Sequence, residues 1–476
     1  MIDAPKVCII IVNWNKKDYV TDLIESLRRM SYKNYDTVVV DNASTDGSIE
    51  AIKNFPEVHL ICNPNNLGGT GGFNAGMRFA LEQNCYKYIW LLDNDARVMT
   101  TTLSELVKVA ENDPEVGVAG SMIVNPDIQD LVVEFGGYIS WENRIWKPYM
   151  RNEFIPPEGL PSTVEVDYVA ACSALVRMDA IQQTGIMDER YFIHWDDIDF
   201  CLRIWEAGYK VVAVSNSMIY HEVEKESNPV LVYYDIRNGL LTMAKHLKRF
   251  QRIIAIYNTL RESCKIIVLS YFTNLYNISK LIINSLTDFF KGRFYRINKS
   301  ISSSLMMSAP LQFDVEKVIN YCDKRMLILP SGSATQISKT LEKMESLGCN
   351  NLFLLIEDDR KHLFSYTYSD RIISFNNRRS NLNYLKLLIK IAAGQYAFAV
   401  SPTSIVLPYS YAVKNCIYFD SESEQFYQSK ETMKCLWKLA ISFFAGELIA
   451  LALLPIFYFK SKKYYINRSD NYKHPT

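Results

Sequence analysis

Short runs of consecutive apolar residues alternate with helical stripes over the first half of the chain. Val7–Val12 (VCIIIV) is β-branched and ends at Asn13, Trp14 and Asn15, the pattern of a buried first strand. From Tyr19 to Met30 apolar residues fall at 20, 23, 24 and 27, one face of a helix, with Asp22 and Glu25 near its start. Thr37–Val40 and Val58–Cys62 read as the second and third strands, and the strand–helix–strand order predicts parallel pairing with right-handed crossovers. The four residues Ile89–Leu92 suit a strand buried on both faces. A helix over 102–111, strands at Val116–Met122 and Val166–Arg177, a helix from Ile198 and a strand at Val211–Val214 continue the alternation. Residues 130–165 are punctuated by glycine, proline and aromatics without a helical period, which predicts hairpins and loops folded over one end of the sheet.

Beyond residue 230 the pattern changes. Phe250, Ile253, Ile254 and Tyr257 lie beside Lys245, Lys248, Arg249 and Arg252 in helical windows. Such helices suit an anionic membrane surface, or a helical subdomain packed on the rest of the chain or on a partner subunit. Ser300–Ser308 reads as a linker. From 318 to 432, MLILP, a helix near 336–347, NLFLLI, RIISF, a helix at 383–393, YAFAVSP and NCIYF predict a small Rossmann-like α/β domain. Ser331, Gly332 and Ser333 after its first strand hint at a phosphate loop without specifying one. Leu439–Phe459 is long and apolar enough to span a bilayer, although Glu447 and Pro455 interrupt it.

Composition narrows the classes. With 52 basic against 52 acidic residues in 476, nothing points to a nucleic-acid binder. Ten scattered cysteines without a CxxC pair predict reduced, mostly buried thiols rather than a disulfide framework or a zinc site. The start, MIDAPKVCIIIVNWN, lacks the basic region and longer apolar core of a signal peptide.

Candidate chemistry concentrates where strands end. The run YIWLLDNDA carries Asp93 and Asp95 off a buried strand, and two carboxylates at that place can hold a hard divalent cation against phosphate oxygens; a solvated turn is the alternative. Asp41, at the end of the second strand, is placed for a base or ribose or simply as a helix cap. Glycines at 68, 69, 71, 72 and 76 predict a flexible ligand loop that presents amides to a diphosphate, or an ordinary mobile turn. The segment YFIHWDDIDFCLRIWEAGY opens a helix with Asp196 and Asp197, and Asp199 and Arg203 stand four apart on it. Helix capping explains one of the adjacent carboxylates, whereas an unpaired one near a metal and a sugar hydroxyl can act as a general base. His221, after the last strand, is either structural or the nitrogen of an oxygen–nitrogen metal shell.

Taken together, VNWN, VVDNASTDGS, NNLGGTGGF, WLLDNDA, HWDDIDFCLR and His221 resemble glycosyltransferase family two, inverting enzymes of the GT-A fold, over about residues 5–240. The glycine segment, the WDD and the spacing to His221 look most like the bacterial galactofuranosyltransferases, and rhamnosyltransferases share much of this, including YYDIRNGLL at 233–241. The resemblance implies a GT-A catalytic domain at 1–240; the residue pattern beyond it adds an amphipathic helical segment at 241–305, the α/β domain at 318–432 and an apolar helix at 436–460. The resemblance further implies that Asp41 binds uracil or ribose with Asn13 and Asn15 nearby, and that Gly68, Gly69, Gly71, Gly72 and Asp93 face the donor. Asp93, Asp95 and His221 would hold Mg²⁺ or Mn²⁺, Asp197 would deprotonate the acceptor hydroxyl, and Asp196 would place the acceptor. Asn94 stands where relatives often have a third Asp, which leaves the metal pair intact.

The expected activity is metal-dependent, inverting transfer of a hexose, galactofuranose from UDP-galactofuranose, to a bacterial surface glycan such as an O-antigen, capsule or cell-wall polysaccharide. Rhamnosyl transfer from dTDP-rhamnose is the near rival and a non-catalytic glycan- or nucleotide-binding module the distant one. Expected partners are the nucleotide sugar, a glycan or lipid-linked glycan acceptor and the cytoplasmic face of the inner membrane, with homo-oligomerisation left open. Because nucleotide sugars are cytosolic, a single crossing at 436–460 would put KSKK (460–463) outside, so an interfacial, re-entrant or protein-buried helix is expected.

Overall fold

The computed structural model describes residues 4–126, 130–140, 145–150, 153–156, 158–221, 230–272 and 276–297. Beyond these it describes 315–319, 323–329, 334–357, 361, 364, 369–375, 391, 394, 396, 398–402, 416–420, 425–428 and 436–464. The expected linker at 300–308, Ser331–Ser333 and, apart from Ile391, the helix at 383–393 lie outside the described residues.

The chain runs β1 (Val7–Asn13), α1 (Lys17–Arg28), β2 (Tyr35–Asp41), α2 (Ser48–Ile52), β3 (Val58–Cys62), α3 (Gly68–Gln83), β4 (Tyr88–Asp93), β5 (Ala96–Val98), α4 (Thr102–Asn112) and β6 (Val116–Val124). It continues with β7 (Leu131–Glu134), the hairpin β8 (Gly137–Ser140) and β9 (Ile145–Pro148), β10 (Glu153–Phe154), β11 (Thr163–Glu165), β12 (Ser173–Arg177), α5 (Met178–Thr184), α6 (Asp196–Glu206) and β13 (Lys210–His221). These strands, the hairpin apart, form one sheet of order β10-β7-β6-β12-β4-β1-β2-β3, with β13 beside β6, β5 and β11. Strands β3, β2, β1 and β4 are parallel, as the crossover pattern predicts, and β12 inserts antiparallel between β4 and β6.

Strand alternation divides the core. Cys8, Ile10, Ile89 and Leu91 point into one hydrophobic layer, while Val7, Ile9, Ile11, Trp90 and Leu92 point into the opposite one. The second layer is covered by α1, whose Val20, Leu23, Ile24 and Leu27 form the predicted stripe, and by α4. The first is covered by α3, α5 and α6. Residues at matching heights on the three central strands emerge together at one rim, since Asn13 pairs in register with Asp41 and Val12 with Asp93.

The glycine segment is not a flexible loop. It forms the first two turns of α3, which begins at Gly68 rather than Met77. A Cβ on Gly72 would stand 2.5 Å from Val12 Cγ1, and one on Gly76 would stand 2.3 Å from Ile10 Cγ2. These glycines therefore let the helix lie directly on β1, a packing demand that resembles a loop signature in sequence.

Of the two readings of the segment after residue 240, the helices take the packed one. They are α7 (Val230–His246), α8 (Arg249–Phe272) and α9 (Tyr276–Lys291). Ile236, Leu240, Leu241, Ala255, Ile256, Leu260 and Ile282 join the same core as the sheet. Two of the helices' basic residues face inward: Lys245 is 2.8 Å from Asp188 and 2.5 Å from Asp199, and Arg252 is buried. Phe250 alone of the expected apolar stripe is largely exposed, at 75%.

A second sheet has its own core of Met326, Ile328, Ile337, Leu341, Leu354, Ile356, Val400 and Ile417. It contains β14 (Met326–Ile328), β15 (Leu352–Glu357), β16 (Ile372–Phe375), β17 (Phe398–Ser401), β18 (Cys416–Asp420) and β19 (Gln425–Gln428), flanked by α10 (Val315–Ile319) and α11 (Ala334–Ser346). The order β16-β15-β14-β17-β18-β19, parallel except for β19, is the expected Rossmann-like alternation. Seven described cysteines are free, whereas Cys349 is disulfide-bonded, against the expectation of reduced thiols. Spacing in a chain this long does not reveal which thiols the fold brings together.

The last helix, α12 (Leu436–Ser461), packs along α8, where the Tyr257 hydroxyl donates to Glu447 and Gly446 lies against Lys265. Phe444–Tyr464 is long and apolar enough to cross a membrane by length and composition. Ala450 and Phe457 face the protein, whereas Phe444, Leu448 and Phe459 are more than half exposed.

Candidate active site at the carboxyl ends of the central strands

The rim residues of β1, β2 and β4 are tied to one another. Asn13 donates through Nδ2 to Asp41 Oδ2 at 2.9 Å and accepts at Oδ1 from Asn94 Nδ2 at 2.8 Å. Asn94 is therefore a strand-bridging residue, which accounts for an amide between the two carboxylates. Asp41 has no exposed surface, and its Oδ1 accepts from the Ser44 amide at 2.8 Å. From that position it orients Asn13 and the following turn. Asn15, in the left-handed region at φ 51°, accepts from the Thr45 amide at 2.7 Å, so it and Ser44 frame the exposed side of the same turn.

Asp93, Asp95 and His221 come together although 126 positions separate Asp95 from His221 in the numbering. The cause is strand pairing, since β13 lies antiparallel to β5 with His221 opposite Ala96. His221 Nε2 is 3.1 Å from Asp95 Oδ1 and 3.7 Å from Asp93 Oδ2, and Lys16 Nζ is 2.5 Å from Asp95 Oδ2. Burial alone would lower the imidazolium pKa, but the two carboxylates outweigh it and push it up to about 10. Burial alone would raise Asp95, but His221 and Lys16 hold it well below the usual carboxylate range. His221 Nε2 is buried and makes no well-directed hydrogen bond. Two carboxylate oxygens and one orphaned imidazole nitrogen, with ligand atoms within 4.8 Å of one another, fit a small divalent cation such as Mn²⁺ or Mg²⁺.

The second acidic cluster starts α6. Asp196 is buried and accepts from Thr70 Oγ1 at 2.6 Å, which fastens the start of α6 to the start of α3. Asp197 remains partly exposed and accepts from the Ile198 amide at 2.8 Å. Burial, and then the charge of Asp196, push the Asp197 carboxyl up to about 7. Asp199 belongs elsewhere: besides the predicted Arg203 contact at 3.0 Å it is fully buried against Lys245 and His246, which ties α6 to α7. Cys172 adjoins the first cluster, its carbonyl accepting from the Asp93 amide at 3.4 Å. Its thiol is held well above its usual pKa by burial and by the charges of Asp93, Glu134, Asp95 and Asp197.

The glycines divide. Gly71 and Gly72 turn towards Leu67, Val12 and Asn42, where a Cβ would not fit. Gly68 meets the Phe192 carbonyl, and only Gly69 of the four faces open space. Sequence reasoning missed Lys16 and Thr70 as site residues. Lys16 follows the VNWN run and Thr70 interrupts the glycines, but nothing local says that they reach Asp95 and Asp196.

The profile of glycosyl transferase family 2 matches residues 8–159, and that of glycosyl transferase family group 2 matches residues 88–310. The chain is similar to dTDP-rhamnosyl transferase RfbF of Shigella flexneri, 25% identical over 248 residues, 50% of this chain and 79% of that protein. It is similar to N-acetylglucosaminyl-diphospho-decaprenol L-rhamnosyltransferase of Mycobacterium tuberculosis, 26% identical over 45% of this chain and 75% of that one. Galactofuranosyltransferase GlfT1 of Mycolicibacterium smegmatis is also 26% identical, over 44% and 68%. The solved mannosyltransferase PcManGT from Pyrobaculum calidifontis, in complex with GDP-Man and Mn²⁺, superposes with a TM-score of 0.39 at 17% identity, covering 51% of this chain and 64% of that one. A superposition that loose adds nothing to the assignment. The two profiles together run from β1 past α9, across every strand that delivers a carboxylate to the rim, and the relatives are sugar transferases: the chain is a glycosyltransferase and belongs to glycosyltransferase family 2.

Proposed function

We propose that the chain transfers a hexose, galactofuranose from UDP-galactofuranose, by a single in-line displacement onto a glycan or lipid-linked glycan of a bacterial surface polysaccharide. The observation that carries this reading is the meeting of Asp93, Asp95 and His221 within ligand distance of one another at the carboxyl ends of the central strands. Asp197, partly exposed and with its carboxyl near 7, is suited to take the proton of the acceptor hydroxyl at neutral pH. Asp196, held by Thr70, orients the acceptor. Asn15, Ser44 and Gly69 border the space for the nucleotide, with Asn13 and Asp41 setting their geometry from below. Asp93, Asp95 and His221 would hold Mn²⁺ or Mg²⁺, which supplies positive charge against the departing nucleoside diphosphate. Lys16 neutralises the far oxygen of Asp95 and so keeps that ligand aimed.

Rhamnosyl transfer from a dTDP donor is the second reading, favoured by the names of two relatives whose identities, 25% and 26%, match that of the galactofuranosyl relative. Purified protein offered UDP-galactofuranose, dTDP-rhamnose and UDP-glucose with Mn²⁺ is expected to release UDP from the first, and to stop when EDTA is added. Preferential release of dTDP moves the assignment to the second reading. No release from any donor, with a lipid-linked acceptor present, leaves only a binding module.

We further propose that residues 318–432 form a separate α/β domain and that α12 lies on the cytoplasmic face of the inner membrane. Its outward Phe444, Leu448 and Phe459, with Lys460, Lys462 and Lys463 at one end, suit an interfacial helix over anionic lipid. Full-length protein is expected to float with anionic vesicles and less with neutral ones, and F444E/L448E to stay in the dense fractions. Flotation of that variant at the wild-type level rules this surface out.

A further inference from the structure

Asp196 and Asp197 follow a segment of unusual backbone. Phe192, His194 and Trp195 have φ of 69°, 64° and 67°, a left-handed conformation disfavoured for L side chains, and none is glycine. Three such residues within four persist only where surroundings over-determine them. Here the surroundings are the Arg237-Asn238-Gly239 run of α7, part of the YYDIRNGLL segment, which the transfer reading leaves without a task.

Asn238 is fully buried, and its Nδ2 donates to the carbonyls of Tyr191 at 3.0 Å, Ile193 at 2.8 Å and His194 at 2.9 Å. Its Oδ1 accepts from Arg237 Nε at 3.0 Å and Nη2 at 2.9 Å. Arg237, also fully buried, donates to the carbonyls of Tyr191 at 3.1 Å, Arg190 at 3.3 Å and Tyr295 at 2.7 Å. Among the described residues Arg237 forms no salt bridge; its remaining donations go to Asn238 Oδ1 and, at 3.2 Å, to the Tyr233 hydroxyl, so this buried guanidinium directs three of its bonds to main-chain carbonyls around the left-handed segment. A Cβ on Gly239 would stand 3.3 Å from the Trp195 ring. On the opposite side the Phe192 carbonyl accepts from the Thr70 amide at 3.2 Å and occupies the space of a Gly68 Cβ.

We propose that Arg237 and Asn238 are positioning residues: from α7 they hold Phe192–Trp195 in its left-handed geometry against the start of α3, and thereby aim Asp196 and Asp197 at the carboxylate rim. The inference rests on the reading of Asp197 as base. Asn238→Asp keeps the side-chain volume and the acceptor for Arg237 but removes all three donated hydrogen bonds. In the full chain its turnover is expected to fall about 10²-fold, the cost of a misplacement near 1 Å. Donor KM and Mn²⁺ affinity should stay at wild-type values, while amides of residues 192–198 exchange faster and those of β1 and β4 do not. Should Asn238→Asp fail to fold, Arg237→Lys, which keeps the charge and loses the forked donation, is read the same way. Wild-type turnover with a loosened segment overturns the proposal, as does reduced turnover with unchanged exchange. An Asp197→Asn variant that transfers at the wild-type rate instead removes the base assignment, and the exchange measurement still reports whether α7 holds the segment.

Discussion

Asp197→Asn is expected to lower the transfer rate by about 10²–10⁴-fold, the usual contribution of a positioned general base, with nucleotide-donor affinity retained. The amide fills the same space and still accepts from the Ile198 amide, so the start of α6 should persist. The wild-type rate carries a pH signature that the variant loses. With the carboxyl pushed up to about 7 by burial and by Asp196, kcat should climb as pH rises through that value and level off above it. Stability should move the opposite way. A carboxyl raised in the folded state favours the protonated form there, so its contribution is fully present below the ordinary carboxylate range and is lost as pH rises through about 7. Asp197→Asn, permanently neutral, should therefore melt a few degrees above wild type at pH 8, by less at pH 5, and beside it only below about pH 4. Loss of donor affinity with turnover intact would show that the base has been assigned to the wrong residue.

Removing the cation is the second large effect. EDTA, or His221→Ala, is expected to reduce turnover by about 10³-fold or more, since a bound cation supplies several kcal/mol to the leaving group and each 1.4 kcal/mol is tenfold. The fold should survive, because Asp95 keeps its Lys16 contact at 2.5 Å without a metal. Imidazole must be deprotonated to ligate, and the neighbouring carboxylates push His221 up to about 10, so Mn²⁺ affinity should rise with pH and binding should release a proton. Turnover unaffected by EDTA, with metal content verified by elemental analysis, would remove Asp93, Asp95 and His221 from the reaction.

The strands and the candidate chemistry were legible for a common reason. Runs such as Val7–Val12 and Ile89–Leu92 are apolar because both of their faces are covered, and each stops at polar residues on reaching the rim. Register then brings Asn13 and Asp41 to one height with Asp93 one residue below, opposite Val12, and the β5–β13 pairing adds His221. What misled was residue type without context. Glycines read as loop because sequence does not distinguish absence of a side chain for freedom from absence for contact, and in α3 the reason is contact with Val12 and Ile10. Lys245 and Arg252 read as surface charge because their partners, Asp188 and Asp199 for the lysine, lie far away in sequence. The left-handed residues at 192, 194 and 195 had no local signal, since Phe, His and Trp do not select that conformation and the groups that touch the segment come from α7 and α3.

The Tyr257–Glu447 contact joins residues 190 positions apart. Everything between α9 and α12, the whole second sheet included, must leave the ribosome before α8 acquires that neighbour. During that interval the nascent chain displays an unsealed oily flank, the kind of surface on which chaperones and lipid compete. Messages cut short in the second sheet should accordingly yield products that clump or are degraded, even though every strand of the catalytic sheet has been translated.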